Sequence, residues 1–141
     1  MSGNFRFALA PLILVAGLHA QTKTCGDFLA GLHKKPRNLE FVSCTSQPEA
    51  QGKPLKAEYR VKGENAAAVE NYLVQNFHMK RLKKSCCQWD GPAGSYNHAG
   101  ELFQVRMTSD EDTATVAAAT RADWRKLPYF HVEVTLDTEA P

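Results

Sequence analysis

From Tyr129 to Asp137 the chain reads YFHVEVTLD, in which Phe130, Val132, Val134 and Leu136 alternate with His131, Glu133, Thr135 and Asp137. A period of two sends alternate side chains to opposite faces, so this segment predicts a half-buried β-strand. LKAEYRVKG repeats the pattern, with Leu55, Ala57, Tyr59 and Val61 inward and Lys56, Glu58, Arg60 and Lys62 outward. ELFQVRMTS adds a third such strand, with Phe103, Val105 and Met107 on one face. NLEFVSC, Asn38 to Cys44, alternates more loosely and reads as a buried strand through Leu39, Phe41 and Val42. MKRLKKSCCQW, 79–89, reads as a strand leading into a glycine-rich turn, DGPAGSYNHAG, 90–100.

Elsewhere the period lengthens. In ENAAAVENYLVQNF, Val69, Leu73 and Phe77 stand four apart and are flanked by Ala66 and Tyr72, which predicts an amphipathic helix capped by Asn65. TKTCGDFLAGLHKKP predicts a helix that opens on a Thr24–Asp27 capping box, buries Phe28, Leu29 and Leu32, and stops at Pro36. TRADWRKLP predicts a short third helix through Thr120, Asp123, Trp124 and Leu127. SQPEAQGKP is a polar turn, and DEDTATVAAA fits a loop or a short strand equally. The expected fold is α+β: a mostly antiparallel sheet of about five strands, two main helices and a short third on one face.

The first twenty residues, MSGNFRFALAPLILVAGLHA, place Arg6 before an apolar run and end on a small residue, Ala20. The run is about twelve residues, against about twenty needed to span a bilayer. It predicts a cleaved signal peptide over 1–20, a single domain over 21–141, a periplasmic location and no integral membrane segment afterwards. TKT before Cys25 is not the small apolar approach of a lipoprotein signal. Lys plus Arg number 17 against 15 Asp plus Glu, and Arg6 leaves with the signal. So even a balance argues against a nucleic-acid partner.

Export changes the reading of the four cysteines, Cys25, Cys44, Cys86 and Cys87, which an oxidising compartment turns into disulfides. Neighbouring Cα atoms lie ~3.8 Å apart, whereas bridged pairs prefer ~5.5 Å. The expectation is therefore that Cys86 and Cys87 each reach one of Cys25 and Cys44, in either order.

No constellation of residues announces a reaction. Cys86, Cys87, His78 and His98 lack the two-to-four-residue spacing of zinc ligands, so neither a metal nor another cofactor is expected. Ser95 sits outside any nucleophile elbow, and His131–Glu133 lacks the P-C-x-x-C that accompanies H-x-E in zinc deaminases. Nucleotide-binding glycine runs are absent. Asp90, His98 and Glu101 offer acid–base groups for an alternative reading as a small periplasmic or secreted hydrolase. KRLKK, Lys80 to Lys84, is a solvated strand face or a patch for an acidic partner or anionic lipid.

Two loops suit recognition better than chemistry. WDGPAGSYNH mixes the aromatic anchors Trp89 and Tyr96 with Asp90, His98 and small polar residues, and SDEDT presents Asp110, Glu111 and Asp112. The competing account makes both ordinary surface turns, with Trp89 in the core.

At CGDFL (25–29), CCQWD (86–90) and RADWRKLPYFHVEV (121–134) the sequence resembles a family of small exported proteobacterial proteins classed as a domain of unknown function. In size, export and composition it is also similar to immunity proteins that neutralise phospholipase D-type effectors delivered by type VI secretion. That resemblance implies a non-enzymatic protein whose partner is a secreted lipase. It also implies that Asp110, Glu111 and Asp112 act as an anionic decoy in the lipase's cationic pocket, with Trp89 and Tyr96 anchoring nearby.

Overall fold

A computed structural model describes residues 23–110 and 118–139. The expected signal peptide, and Glu111, Asp112 and Thr113 of the acidic loop, lie outside the described residues.

Among the described residues, seven strands and three helices follow one another. They are α1 (Phe28–Gly31), β1 (Glu40–Ser46), β2 (Leu55–Lys62), α2 (Gly63–Phe77), β3 (Lys83–Ser85), β4 (Gln88–Asp90), β5 (Gly94–His98), β6 (Glu101–Ser109), a 3-10 helix (Arg121–Lys126) and β7 (Tyr129–Leu136). Five strands form one sheet in the order β1-β2-β7-β6-β5, every neighbour antiparallel. β3 and β4 make a separate hairpin. The α+β expectation holds, and the helices pack on one side of the sheet.

The clean alternations fold as their period dictates. Ala57, Tyr59, Val61, Val105, Met107, Phe130, Val132 and Val134 are buried against the stripe Ala66, Val69, Leu73 and Phe77 of α2. The 3-10 helix adds Trp124, which packs edge-on against Trp89 with ring centroids 5.2 Å apart. At its start the Asp123 carboxylate accepts both the Thr120 N–H at 3.3 Å and the Thr120 hydroxyl at 3.0 Å. Gly94 lies where any Cβ would strike the backbone of Phe77 and Met79, so only glycine lets β5 pass the end of α2.

One acid lies inside. Glu70 of α2 is fully buried, and its carboxylate accepts the Leu82 N–H at 2.7 Å, Arg81 at 3.1 Å and an ion pair from Arg121. The Arg121 guanidinium also lies over Trp124 at 4.3 Å. A carboxylate survives burial only with such a full set of partners. Here those partners pin the 80–82 stretch and the 3-10 helix to α2.

Several local expectations are corrected. The first helix is one turn long, and Asp27 caps it, not Thr24: its side chain accepts the Ala30 N–H. Burial pulls the Asp27 carboxyl upward, but hydrogen bonds from Lys35, Ala30 and the Tyr59 hydroxyl outweigh it and hold its pKa below the ordinary value. The cap position of α2 is Lys62, not the expected Asn65, and it makes no side-chain bond; the helix starts directly where β2 ends. β1 is an edge strand, so Phe41 and Val42 are 38% and 52% exposed and not buried. The expected strand over 79–89 folds back on itself at Cys86–Cys87, and the expected turn over 90–100 contains β5.

The disulfide pairing is corrected too. Cys25 bonds Cys44 with Cα atoms 5.5 Å apart, tying the approach to α1 onto β1. Cys86 bonds Cys87. The two occupy the two-residue loop of the β3–β4 hairpin, with Cys86 in the left-handed region at φ 50°. The expectation rests on the Cα spacing of chain neighbours and treats 79–89 as one continuous strand, whereas the chain reverses at these two residues.

Candidate binding face

The alternation that buries one set of strand residues leaves the other set on the far face of the sheet. Lys56, Glu58 and Arg60 of β2, His131, Glu133 and Thr135 of β7, and Gln104, Arg106 and Thr108 of β6 share that side. Among the described residues, the helices all pack on the opposite side. This face is not flat. One hollow of about 490 Å³ is lined by Asp90, Pro92, Gln104, Arg106, Glu133 and Thr135. A second, of about 370 Å³, lies beside Val42, Glu58, Arg60, Thr108 and His131. Arg106 and Glu133 line both, so the hollows adjoin.

Charges across this face are ordered by register. Arg106 binds Asp90 through two nitrogens, Nε at 3.1 Å and Nη2 at 2.5 Å, and Asp90 also accepts the Gly91 N–H at 2.7 Å. The hydrogen bonds to Asp90 raise the pKa of Arg106 above its ordinary value. Lys56 lies 3.3 Å from Glu133. Arg60 binds Glu40 at 2.8 Å and covers the Tyr129 ring at 4.6 Å. His131 Nε2 lies 2.6 Å from Asp110.

Glu58 differs from these groups. It stands directly across from Glu133 in the β2–β7 register. Like charges in that position repel. Lys56 bridges to Glu133, and among the described residues no cation lies within ion-pair distance of Glu58.

The residues singled out in the sequence divide between the two sides. Asp90 and Asp110 reach the rim of the open face through Arg106 and His131. Trp89 does not: it is 7% exposed, donates its ring N–H to the Ala118 carbonyl at 2.9 Å and belongs to the core. Tyr96 packs edge-on against Phe77 on the helix side, with His98 stacked on it and Lys34 above it at 5.0 Å. His98 faces Glu101 across the β5–β6 hairpin, beside a hollow of about 360 Å³ shared with Asp27 and Phe28.

Asp90, His98 and Glu101 are therefore not assembled as a hydrolase would need. Asp90 is held at Arg106, which is about five residues along β6 from Glu101, or about 17 Å at ~3.4 Å per residue. It is also on the opposite side of the sheet. In the basic run, Arg81 is engaged with Glu70 and Asn71, Leu82 is buried, and Lys80, Lys83 and Lys84 are exposed. Among the described residues no three His, Cys, Asp or Glu side chains are grouped to hold a metal, and no helix is long and apolar enough to cross a membrane.

Sequence reasoning missed Arg106 and the Glu58–Glu133 opposition as site features. The signal was present in the polar half of each alternation, but register, which decides who faces whom, is not written in any one strand.

A family model for a domain of unknown function, DUF4952, matches residues 16–89. The match includes all four cysteines and runs from before α1 to Trp89 in β4, leaving β5, β6 and β7 beyond it. No curated protein and no solved structure matches the chain.

Proposed function

The chain belongs to the DUF4952 family, and from that premise we propose that it is an exported, non-enzymatic binding protein. Its target in this reading is a secreted phospholipase D-type toxin delivered into the periplasm by type VI secretion, which the chain neutralises by direct contact. The observation that carries the reading is the sheet face left uncovered by the described residues, with two adjoining hollows and the carboxylates of Asp90 and Asp110 at its rim. Protein interfaces carry a polar, solvent-accessible rim, and the charged groups along this edge suit that place. The separation of Asp90 from His98 and Glu101 supports binding over hydrolysis.

In this reading Asp110 and its neighbours Glu111 and Asp112 enter the cationic pocket in which the lipase holds a phosphodiester, and Tyr96 and His98 stay outside the contact. The test is co-expression in the periplasm with a phospholipase encoded beside it. The expected result is a stoichiometric complex with lipase activity suppressed, and weaker protection when Asp110, Glu111 and Asp112 are all changed to alanine. Turnover of phospholipid or another ester by the chain alone, abolished by His98→Ala, would overturn the proposal.

A further inference from the structure

We infer that the open sheet face is a docking surface for a protein segment bearing a lysine or arginine side chain, which Glu58 receives. The inference rests on the reading of the chain as a binding protein and adds the chemistry of what it binds.

Three observations converge on this occupant. The hollow of about 370 Å³ has an apolar wall at Val42, 52% exposed, and carboxylates at Glu58 and Glu133. A long basic side chain has that same division, an aliphatic stem and a charged head. Second, the arginines lining this hollow are already engaged, Arg60 with Glu40 and Arg106 with Asp90. An anionic occupant such as a lipid phosphate would have to break one of those pairs to gain a partner. Third, Glu58 opposes Glu133 with no cation of its own among the described residues. A cation placed between them relieves that repulsion, so the face is complementary to positive charge and to an apolar neighbour.

The same geometry sets the limits of the site. Lys56 already bridges to Glu133, so Glu58 is the carboxylate that a newcomer engages first. Val42 stands at the bulge between Phe41 and Ser43, where Ser43 pairs with Glu58, and this places the apolar wall beside the acid.

The test uses the oxidised protein, labelled with ¹⁵N and purified in full, titrated with acetyl-Ile-Arg-Leu-Arg-Val-amide and with its twin in which both arginines are glutamates. The arginine peptide is expected to shift amide signals of Glu58, Arg106, Thr108, His131 and Glu133. Glu58→Gln should weaken that binding about fivefold, as should raising the salt. Glu58→Lys should transfer preference to the glutamate peptide. Equal binding of the two peptides overturns the inference, as do shifts centred on Tyr96 and His98 or full affinity in Glu58→Gln. So do signals on this face that move with protein concentration alone, because the occupant would then be a second copy. The two readings fail separately. Peptide binding without protection against the phospholipase sinks only the immunity role, and protection retained by Glu58→Lys sinks only the docking surface.

Discussion

The two faces of the sheet are made from the same strands, yet they hold their polar groups in opposite ways. On the helix side the buried acid and the buried phenol are both locked: Glu70 by Arg81, Arg121 and the Leu82 N–H, and Tyr59 by the Leu29 N–H and the Asp27 carboxylate. On the open side the pairs are held at the surface, where solvent screens them, and Glu58 has no cation among the described residues. Stability therefore resides on one face, and the other can change its side chains with little effect on folding. That division suits the binding role proposed above.

The strongest way to break this contrast is at Glu70. Glu70→Ala removes the acid but leaves Arg121 and the Leu82 N–H without it, and should cost about 3–5 kcal/mol in urea unfolding. Leu73→Ala, a plain cavity at the centre of α2, should cost about 2–5 kcal/mol by the same measurement. If either were neutral, the helix side would not be the source of stability.

Next come the two disulfides. Replacing Cys25 and Cys44 by serine opens a loop with a sequence separation of 19 and should cost about 3 kcal/mol. Replacing Cys86 and Cys87 opens almost no loop, their separation being 1, and should change unfolding far less. Equal losses would contradict the pairing described above.

Asp27 sharpens the contrast with pH. Its folded pKa lies below the ordinary carboxylate value, so the unfolded chain takes up its proton first as the pH falls. The stability it contributes is complete well above the unfolded value of about 4 and is lost as the pH drops through the folded value. Asp27→Asn should thus be less stable near neutrality and should show a shallower loss on acidification. The smallest effect is expected on the open face, where Arg106→Ala should change unfolding by no more than about 1 kcal/mol.

Much of the helix side was legible in the chain. The alternations at 55–62, 101–109 and 129–136 give three central strands with their inward residues correct, and Val69, Leu73 and Phe77 give α2. Edges were less legible. Phe41 and Val42 have strand-core chemistry, and only the sheet order shows that β1 has no outer neighbour. The β3–β4 hairpin was hidden because its loop consists of two cysteines, not of asparagine and glycine. The candidate face was half visible: its residues could be assigned to a polar side, but the facing of Glu58 and Glu133 depends on register between strands far apart in the chain.

That distance has a consequence for assembly. β7 lies between β2 and β6, although it follows both in the chain. The β1–β2 and β5–β6 ribbons can zip locally, but among the described residues no strand joins them until the segment 129–136 threads between the two. A nascent chain would therefore carry two unfinished half-sheets until β7 emerged. Any tether that delays that strand should leave the polypeptide open to proteases and chaperones for just as long.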